Sequence, residues 1–285
     1  MSVSGSTLQL ATRPLMPAFG VEILDVDVAS AGRETLAEIA TWLFRHGAIL
    51  LRGQALDQAA QVAFTNVFGV PAGNDYPEWC DPDYPEIYVI SNKVVNGRRI
   101  GDPAAGLNWH TDMNFHRNPA LCTMLHALEV PREGSDTLLA DVCAAWNAIP
   151  ADRQRQLDGL KVQHSFSKLM AKRGRAVSKE QLEALPDVIH PLVRRHAHDG
   201  RKSLWVSSSL VIRGIIGMPE AEAIDLIDEL IAFATQDQFV YRHKWRRGDV
   251  LVWDNRCTLH RGTPFDMEND VRHVHRTWVR GEAPQ

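Results

Sequence analysis

Apolar residues recur along this chain in short runs separated by turn residues, with a few stretches at helical spacing. Strands are predicted over 8–15 and 21–26, broken by Pro17 and Gly20. Leu36, Ile39, Ala40, Leu43 and Phe44 have the spacing of an amphipathic helix over 35–45, with Gly47 as its stop. Residues 48–51 read as a buried strand, and Asp57 as the cap of a helix running to Phe68 before Gly69. Residues 71–85 are turn-rich and aromatic, a loop long enough to suggest function. A strand over 86–91 follows. Residues 92–106, with Asn96-Gly97, form a loop or hairpin that reads as a lid.

Strands are expected next over 120–130 and 137–141, on either side of the turn 133–136. Two short helices, 142–149 and 151–157, are parted by Pro150. A strand over 162–166 leads to a polar, partly helical insertion over 167–187. Strands over 188–196 and 202–207 are joined by His198-Asp199-Gly200. Residues 219–235 are the clearest helix, and strands return over 238–245, 250–255 and 271–280. Many short strands with a few helices predict a mainly β protein with flanking helices, a sandwich or jelly roll. One domain over residues 1–285 is expected, with no internal repeat or linker.

Composition narrows the function class more than the fold. The chain carries 45% hydrophobic and 23% charged residues, ordinary for a soluble globular protein. A net charge of −4 argues against nucleic acid or an anionic membrane as the main partner. Cys80, Cys122, Cys143 and Cys257 form no CxxC pair, so reduced thiols in the cytoplasm are expected. No signal peptide pattern opens the chain, and no run approaches a membrane span.

The candidate chemistry centres on Leu107-Asn108-Trp109-His110-Thr111-Asp112. In an extended segment side chains two apart share a face, so His110 and Asp112 project together. Taken alone, His-x-Asp is also the pattern of a surface polar pair beside a buried Trp. A distant histidine changes the weight. His260, in Trp253-Asp254-Asn255-Arg256-Cys257-Thr258-Leu259-His260-Arg261-Gly262, follows a predicted core strand. Two histidines and one carboxylate on one side of a metal leave the other positions open, the pattern of non-haem Fe(II) oxygenases. Asp254 and Asn255 are candidates to orient those ligands or to cap the turn. In the last predicted strand Arg272, Val274, Arg276 and Trp278 share one face. Arginines among apolar neighbours suit a buried anion, although a solvated edge strand would look similar.

These residues together resemble the Fe(II)/2-oxoglutarate dioxygenases typified by taurine dioxygenase and 2,4-dichlorophenoxyacetate dioxygenase. The likeness runs nearly end to end. It takes in Phe19-Gly20-Val21-Glu22-Ile23, Leu51-Arg52-Gly53-Gln54, Gly134-Ser135-Asp136-Thr137, His190-Pro191-Leu192-Val193-Arg194 and Phe239-Val240-Tyr241-Arg242-His243. It implies a double-stranded β-helix (jelly roll) using Fe(II), 2-oxoglutarate and O2, with His110, Asp112 and His260 as iron ligands. It implies further that Arg276 and Thr137 hold the far carboxylate of 2-oxoglutarate, with Arg272 supporting the cosubstrate or a substrate acid. Hydroxylation would be coupled to release of succinate and CO2.

The substrate implied is a small organic anion. An aryloxyalkanoate-like carboxylate is favoured, with ether cleavage after hydroxylation and a place in aromatic compound catabolism. A sulfonate or sulfate ester is the alternative. Candidate anchors are Asn108, Arg98, Arg99 and Arg213, with His164, Ser165 and Phe166 in the segment that lines the pocket of relatives. Tyr76, Trp79 and Tyr84 are candidates to cover an aromatic substrate or to anchor their own loop. A zinc hydrolase and a non-catalytic acid-binding jelly roll are the competing classes. A homo-oligomer is expected on general grounds.

Overall fold

The structure, a computed structural model, describes residues 10–103 and 106–285. Its centre is a seven-stranded sheet. The spatial order is Thr12–Pro14, Val21–Ile23, Ala48–Leu51, Val250–Asp254, Ala120–Glu129, His273–Arg280 and Tyr88–Ser91. All neighbours are antiparallel except Val21–Ile23 with Ala48–Leu51. A three-stranded sheet, Val240–His243, Thr137–Asp141 and Thr258–Gly262, faces it.

The period of two along the strands sorts side chains between two cores. Leu50, Leu125, Leu251, Trp253 and Val274 point inward and meet Leu139 of the smaller sheet. Ile49, Leu51, Met124, Val250, Val252 and Val279 point outward, under Ile39 and Leu43 of helix Arg33–His46 and Phe64 of helix Gln58–Thr65. The shared inner core gives the jelly roll expected from the sequence. A third core lies beside it, where helices Val142–Ala148 and Glu220–Ala234 back the small sheet Val188–Pro191, Lys161–His164 and Ile212–Ile215.

Several boundaries differ from those predicted, for local reasons. Residues 8 and 9 of the first predicted strand lie outside the described residues; the strand present is Thr12–Pro14. The second ends at Ile23, ahead of Asp25 with its left-handed φ of 57°. The second helix stops at Thr65, and Asp57 caps it by accepting a hydrogen bond from Ala60 N. The strand predicted to reach Phe166 ends at His164. Ser165 caps a new helix there, Phe166–Lys172, by accepting from Lys168 N. The run 188–196 divides into Val188–Pro191 and Val193–Arg195, which join different sheets. Two strands escaped the pattern reading, Ile212–Ile215 and Thr258–Gly262, each short and interrupted by Gly or charge.

The expected lid segment carries a hairpin, Val94–Val95 with Arg98–Arg99, turning at Asn96 and Gly97, both at positive φ. Residues 104 and 105 of that segment lie outside the described residues.

Candidate active site

The segment around His110 is less regular than an extended strand. His110 makes one isolated antiparallel bridge with His260, exchanging both backbone hydrogen bonds at 3.0 and 2.9 Å. A turn follows, with Met113 at a left-handed φ of 54°. The pairing sets the two imidazole rings 4.1 Å apart, and Asp112 closes the group. One donor atom from each of His110, Asp112 and His260 can be chosen so that all three lie within 4.8 Å of one another.

Protonation suits a cation at this point. His110 Nδ1 lies 2.7 Å from the carbonyl of Asn108, so Nδ1 carries the proton and Nε2 faces the cluster with a lone pair. Burial pushes the His260 imidazolium down to about 3 and keeps the ring neutral. Burial works against the charge of Asp112, but His260 and Arg276 outweigh it and hold that carboxyl at about 2. Two neutral imidazoles and one carboxylate converge here, with Asp112 and His260 buried and His110 partly exposed, and the set fits a divalent iron.

The cluster stands in the wall between two cavities. The larger, of about 420 Å³, is lined by Tyr76, Tyr88, Leu107, Phe115, Leu169 and Val211 on its apolar side. Arg173, Arg175 and Arg276 supply cations to it. The smaller cavity is lined by Ile90, Leu125, Thr137, Trp253, Arg272 and Arg276. Arg272 is buried, and burial lowers its pKa to about 10. Its Nε has no hydrogen-bond partner, and no carboxylate pairs with it among the described residues. Thr137 Oγ1 accepts from Trp245 Nε1 at 3.1 Å, which leaves its own proton to donate. An unpaired buried guanidinium beside a hydroxyl whose proton is uncommitted is a receptor for a carboxylate.

Arg276 stands differently. It borders both cavities, stacks 4.6 Å over the Tyr88 ring and donates to Asn74 Oδ1 at 3.2 Å. Its Nη1 lies 3.6 Å from Asp112 Oδ1. Thr137 and Arg272 line the smaller cavity and not the larger one.

Of the expected substrate anchors, Asn108 lines the larger cavity. Arg98 and Arg99 do not; they sit exposed on the hairpin. Arg213 does not line it either; it is exposed and pairs with Asp187 and Ser167. His164, Ser165 and Phe166 are fully buried behind the wall. Phe166 does not line the cavity but packs on Phe115, which does, with ring centroids 5.2 Å apart. Among the loop aromatics Tyr76 lines the cavity, whereas Trp79 packs into the inner core and anchors its loop. The cavity cations that the sequence did not single out, Arg173 and Arg175, come from the insertion after helix Phe166–Lys172, where polar residues carry no periodic signal.

Asp254 is turned away from the cluster. Its carboxylate accepts from Arg256 N and Nε at 2.9 Å, from Arg256 Nη2 at 2.7 Å and from His196 at 2.9 Å. It therefore caps the turn and anchors a buried ion network. His196, Asp254 and Cys257 also lie close together, but Arg256 and Arg201 beside them oppose a cation.

A jelly roll with two histidines and one carboxylate at the mouth, and an unpaired arginine beside them, defines a non-haem iron oxygenase that takes an acidic cosubstrate. The TauD/TfdA family profile, described as taurine catabolism dioxygenase, matches residues 11–278, and the chain belongs to that family. It is 36% identical over 272 residues to the alpha-ketoglutarate-dependent 2,4-dichlorophenoxyacetate dioxygenase of Cupriavidus pinatubonensis, covering 91% of this chain and 94% of that one. It is 27% identical to the alpha-ketoglutarate-dependent sulfate ester dioxygenase of Pseudomonas putida, covering 100% and 94%. The crystal structure of AAD-2 in complex with Mn(II) and N-oxalylglycine superposes with a TM-score of 0.80 at 26% identity, covering 97% of this chain and 99% of that one. The protein is an Fe(II)/2-oxoglutarate-dependent dioxygenase, using Fe(II), 2-oxoglutarate and O2. No helix among the described residues is long and apolar enough to cross a membrane.

Proposed function

We propose that this chain is one dioxygenase domain that hydroxylates a small aryloxyalkanoate-like carboxylate, with His110, Asp112 and His260 holding the iron. The observation that carries this is the position of the cluster between two cavities of different character. 2-Oxoglutarate occupies the smaller one. Its far carboxylate pairs with Arg272 and takes the Thr137 proton. This assigns Arg272 the part that family resemblance gave to Arg276, and it rests on the unpaired Arg272 Nε in the cavity that Thr137 shares. Arg276, reaching both cavities, serves the substrate acid beside the metal.

Bound iron, with 2-oxoglutarate and O2, supplies an oxidant that converts a substrate C–H to C–OH while the cosubstrate becomes succinate and CO2. The protein's own work is placement. Arg276, stacked on Tyr88 and held by Asn74, orients the substrate anion. Tyr76, Phe115, Leu169 and Val211 hold the apolar body and exclude water from the reacting carbon. Hydroxylation next to an ether oxygen gives a hemiacetal, which breaks into a phenol and a 2-oxo acid. An aromatic-walled cavity of about 420 Å³ supports a one-ring acid of this kind. A sulfate ester is the second reading, favoured by the three arginines around the cavity and the Pseudomonas relative.

The deciding assay follows succinate formed from 2-oxoglutarate with Fe(II), ascorbate and O2. The panel holds phenoxyacetates, phenoxypropionates, taurine and alkyl sulfates. Phenoxy acids should stimulate succinate and release a phenol, and His110→Ala should abolish both. Stimulation by alkyl sulfates alone would move the substrate to the second reading. Absence of succinate in every case, with iron bound, would sink the proposal.

A further inference from the structure

Two fully buried polar residues, Thr123 and Asn255, sit on the inner side of the sheet where their neighbours are Leu125, Trp253 and Trp278. Apolar side chains would fill such positions at less desolvation cost. Their hydrogen bonds form a closed circuit around Asp112. Asn255 Oδ1 accepts from Trp253 Nε1 at 3.1 Å and from the backbone N of Asp112 at 3.3 Å. Both partners are donors only, so the amide orientation is fixed. Asn255 Nδ2 must then donate, and it does so to Thr123 Oγ1 at 2.9 Å. A hydroxyl has one proton, and with its oxygen already accepting, that proton goes to Asp112 Oδ2 at 2.7 Å. Asp112 Oδ1 accepts no hydrogen bond among the described residues and lies 3.7 Å from His110 Nε2 and 3.6 Å from Arg276 Nη1, while Oδ2, bonded to Thr123, lies 3.5 Å from His260 Nε2.

We propose that Thr123 and Asn255 are positioning residues for the metal: a one-way relay that grips Asp112 by its backbone and by Oδ2 and presents Oδ1 to the ion. The proposal rests on Asp112 being a ligand. Without the relay the carboxylate can rotate about its Cβ–Cγ bond and offer either oxygen or both. With it, one oxygen is committed to Thr123, and the ligand set is ready before the ion arrives. The relay also ties Asp112 to strand Val250–Asp254 through Trp253, so the ligand moves with the rigid sheet and not with its own turn.

The test is Co(II) titration of the metal-free full chain, followed by its visible absorption, with circular dichroism melting of the metal-free form alongside. Thr123→Val should weaken Co(II) binding by about 10- to 100-fold, the usual cost of losing a partner behind a ligand. It should also alter the Co(II) spectrum. Thr123→Ser, which keeps the hydroxyl, should bind within about threefold of the parent with the parent spectrum. His110→Ala separates the two levels of the argument. If it abolishes Co(II) binding while Thr123→Val binds like the parent, the relay is wrong and the ligand set stands. If His110→Ala itself binds like the parent, the ligand set is wrong. Should Thr123→Val fail to fold, Thr123→Ala, which has no donor and brings no metal ligand, carries the same comparison. Equal losses in Val and Ser variants would also overturn the relay, because shape and not the hydroxyl proton would then be responsible.

Discussion

Arg272 sits in an environment that opposes its charge. Its guanidinium is buried, burial lowers its pKa to about 10, and no carboxylate meets it among the described residues. An unpaired buried charge costs stability, and the cost is recovered only when an anion binds. Arg272→Met should therefore separate stability from function. The metal-free protein should melt at the parent temperature or above it. The apparent KM for 2-oxoglutarate should rise by about 100-fold, corresponding to the roughly 2–5 kcal/mol expected for a buried charged pair. Succinate assays at varied 2-oxoglutarate, read beside melting curves, would check both halves. A KM left at the parent value would return the cosubstrate anchor to Arg276.

At the scale of elements, the turn Gly134-Ser135 sets the start of strand Thr137–Asp141 and so the place of the Thr137 hydroxyl. Gly134 has φ 74°, and a Cβ there would stand 2.4 Å from the carbonyl oxygen of Pro264. Gly134→Ala should lower stability in urea unfolding by roughly 1–3 kcal/mol, from the strained backbone and the clash together. The KM for 2-oxoglutarate should rise with it, because the turn carries Thr137. Unchanged stability would mean that the 264–265 segment yields without cost. Strand His273–Arg280 shows the same dependence of chemistry on register. Val274, Arg276 and Trp278 face the inner side, while Thr277 bonds Thr65 and Val279 packs under the helices. A slip of one residue would turn Arg276 out of both cavities.

Across the whole molecule, buried histidines set the response to acid. Burial holds His190 and His275 down at about 4 and His164 well below its ordinary value. For a group depressed in the fold, the unfolded chain takes up the proton first. Stability is then full above about 6.5 and falls as pH drops towards 4. His196 has the opposite sign. Burial lowers it, but the hydrogen bond and charge of Asp254 prevail and raise it. Its contribution is present below about 6.5 and fades as pH rises past its folded value. The depressed groups outnumber it, so the melting temperature should decline between pH 6.5 and 4. His275→Gln should flatten that decline by on the order of 2 kcal/mol. Parallel pH profiles for parent and variant would refute the assignment to His275.

The sequence by itself determined the chemistry available and the local periods. His110-x-Asp112 and His260 stood out because a few residue types at such spacing can make a metal site, Arg272 and Arg276 because they alternate with apolar residues on one strand face, and Thr137 through the family resemblance alone. The strands were legible because burial on one face enforces alternation. Tertiary structure decided which of several equivalent residues reached the site. Arg98, Arg99 and Arg213 look like anion anchors in the sequence, yet the first two lie on an exposed hairpin and the third pairs with Asp187. Arg173 and Arg175 look like an ordinary polar insertion, yet they line the cavity. Asp254 and Asn255 are neighbours in the chain and point to opposite sides, one to a buried ion network and one to Asp112. Local periodicity requires that separation, but only the pairing of Val250–Asp254 with Ala120–Glu129, and of Thr258–Gly262 with Thr137–Asp141, fixes which side holds the cluster.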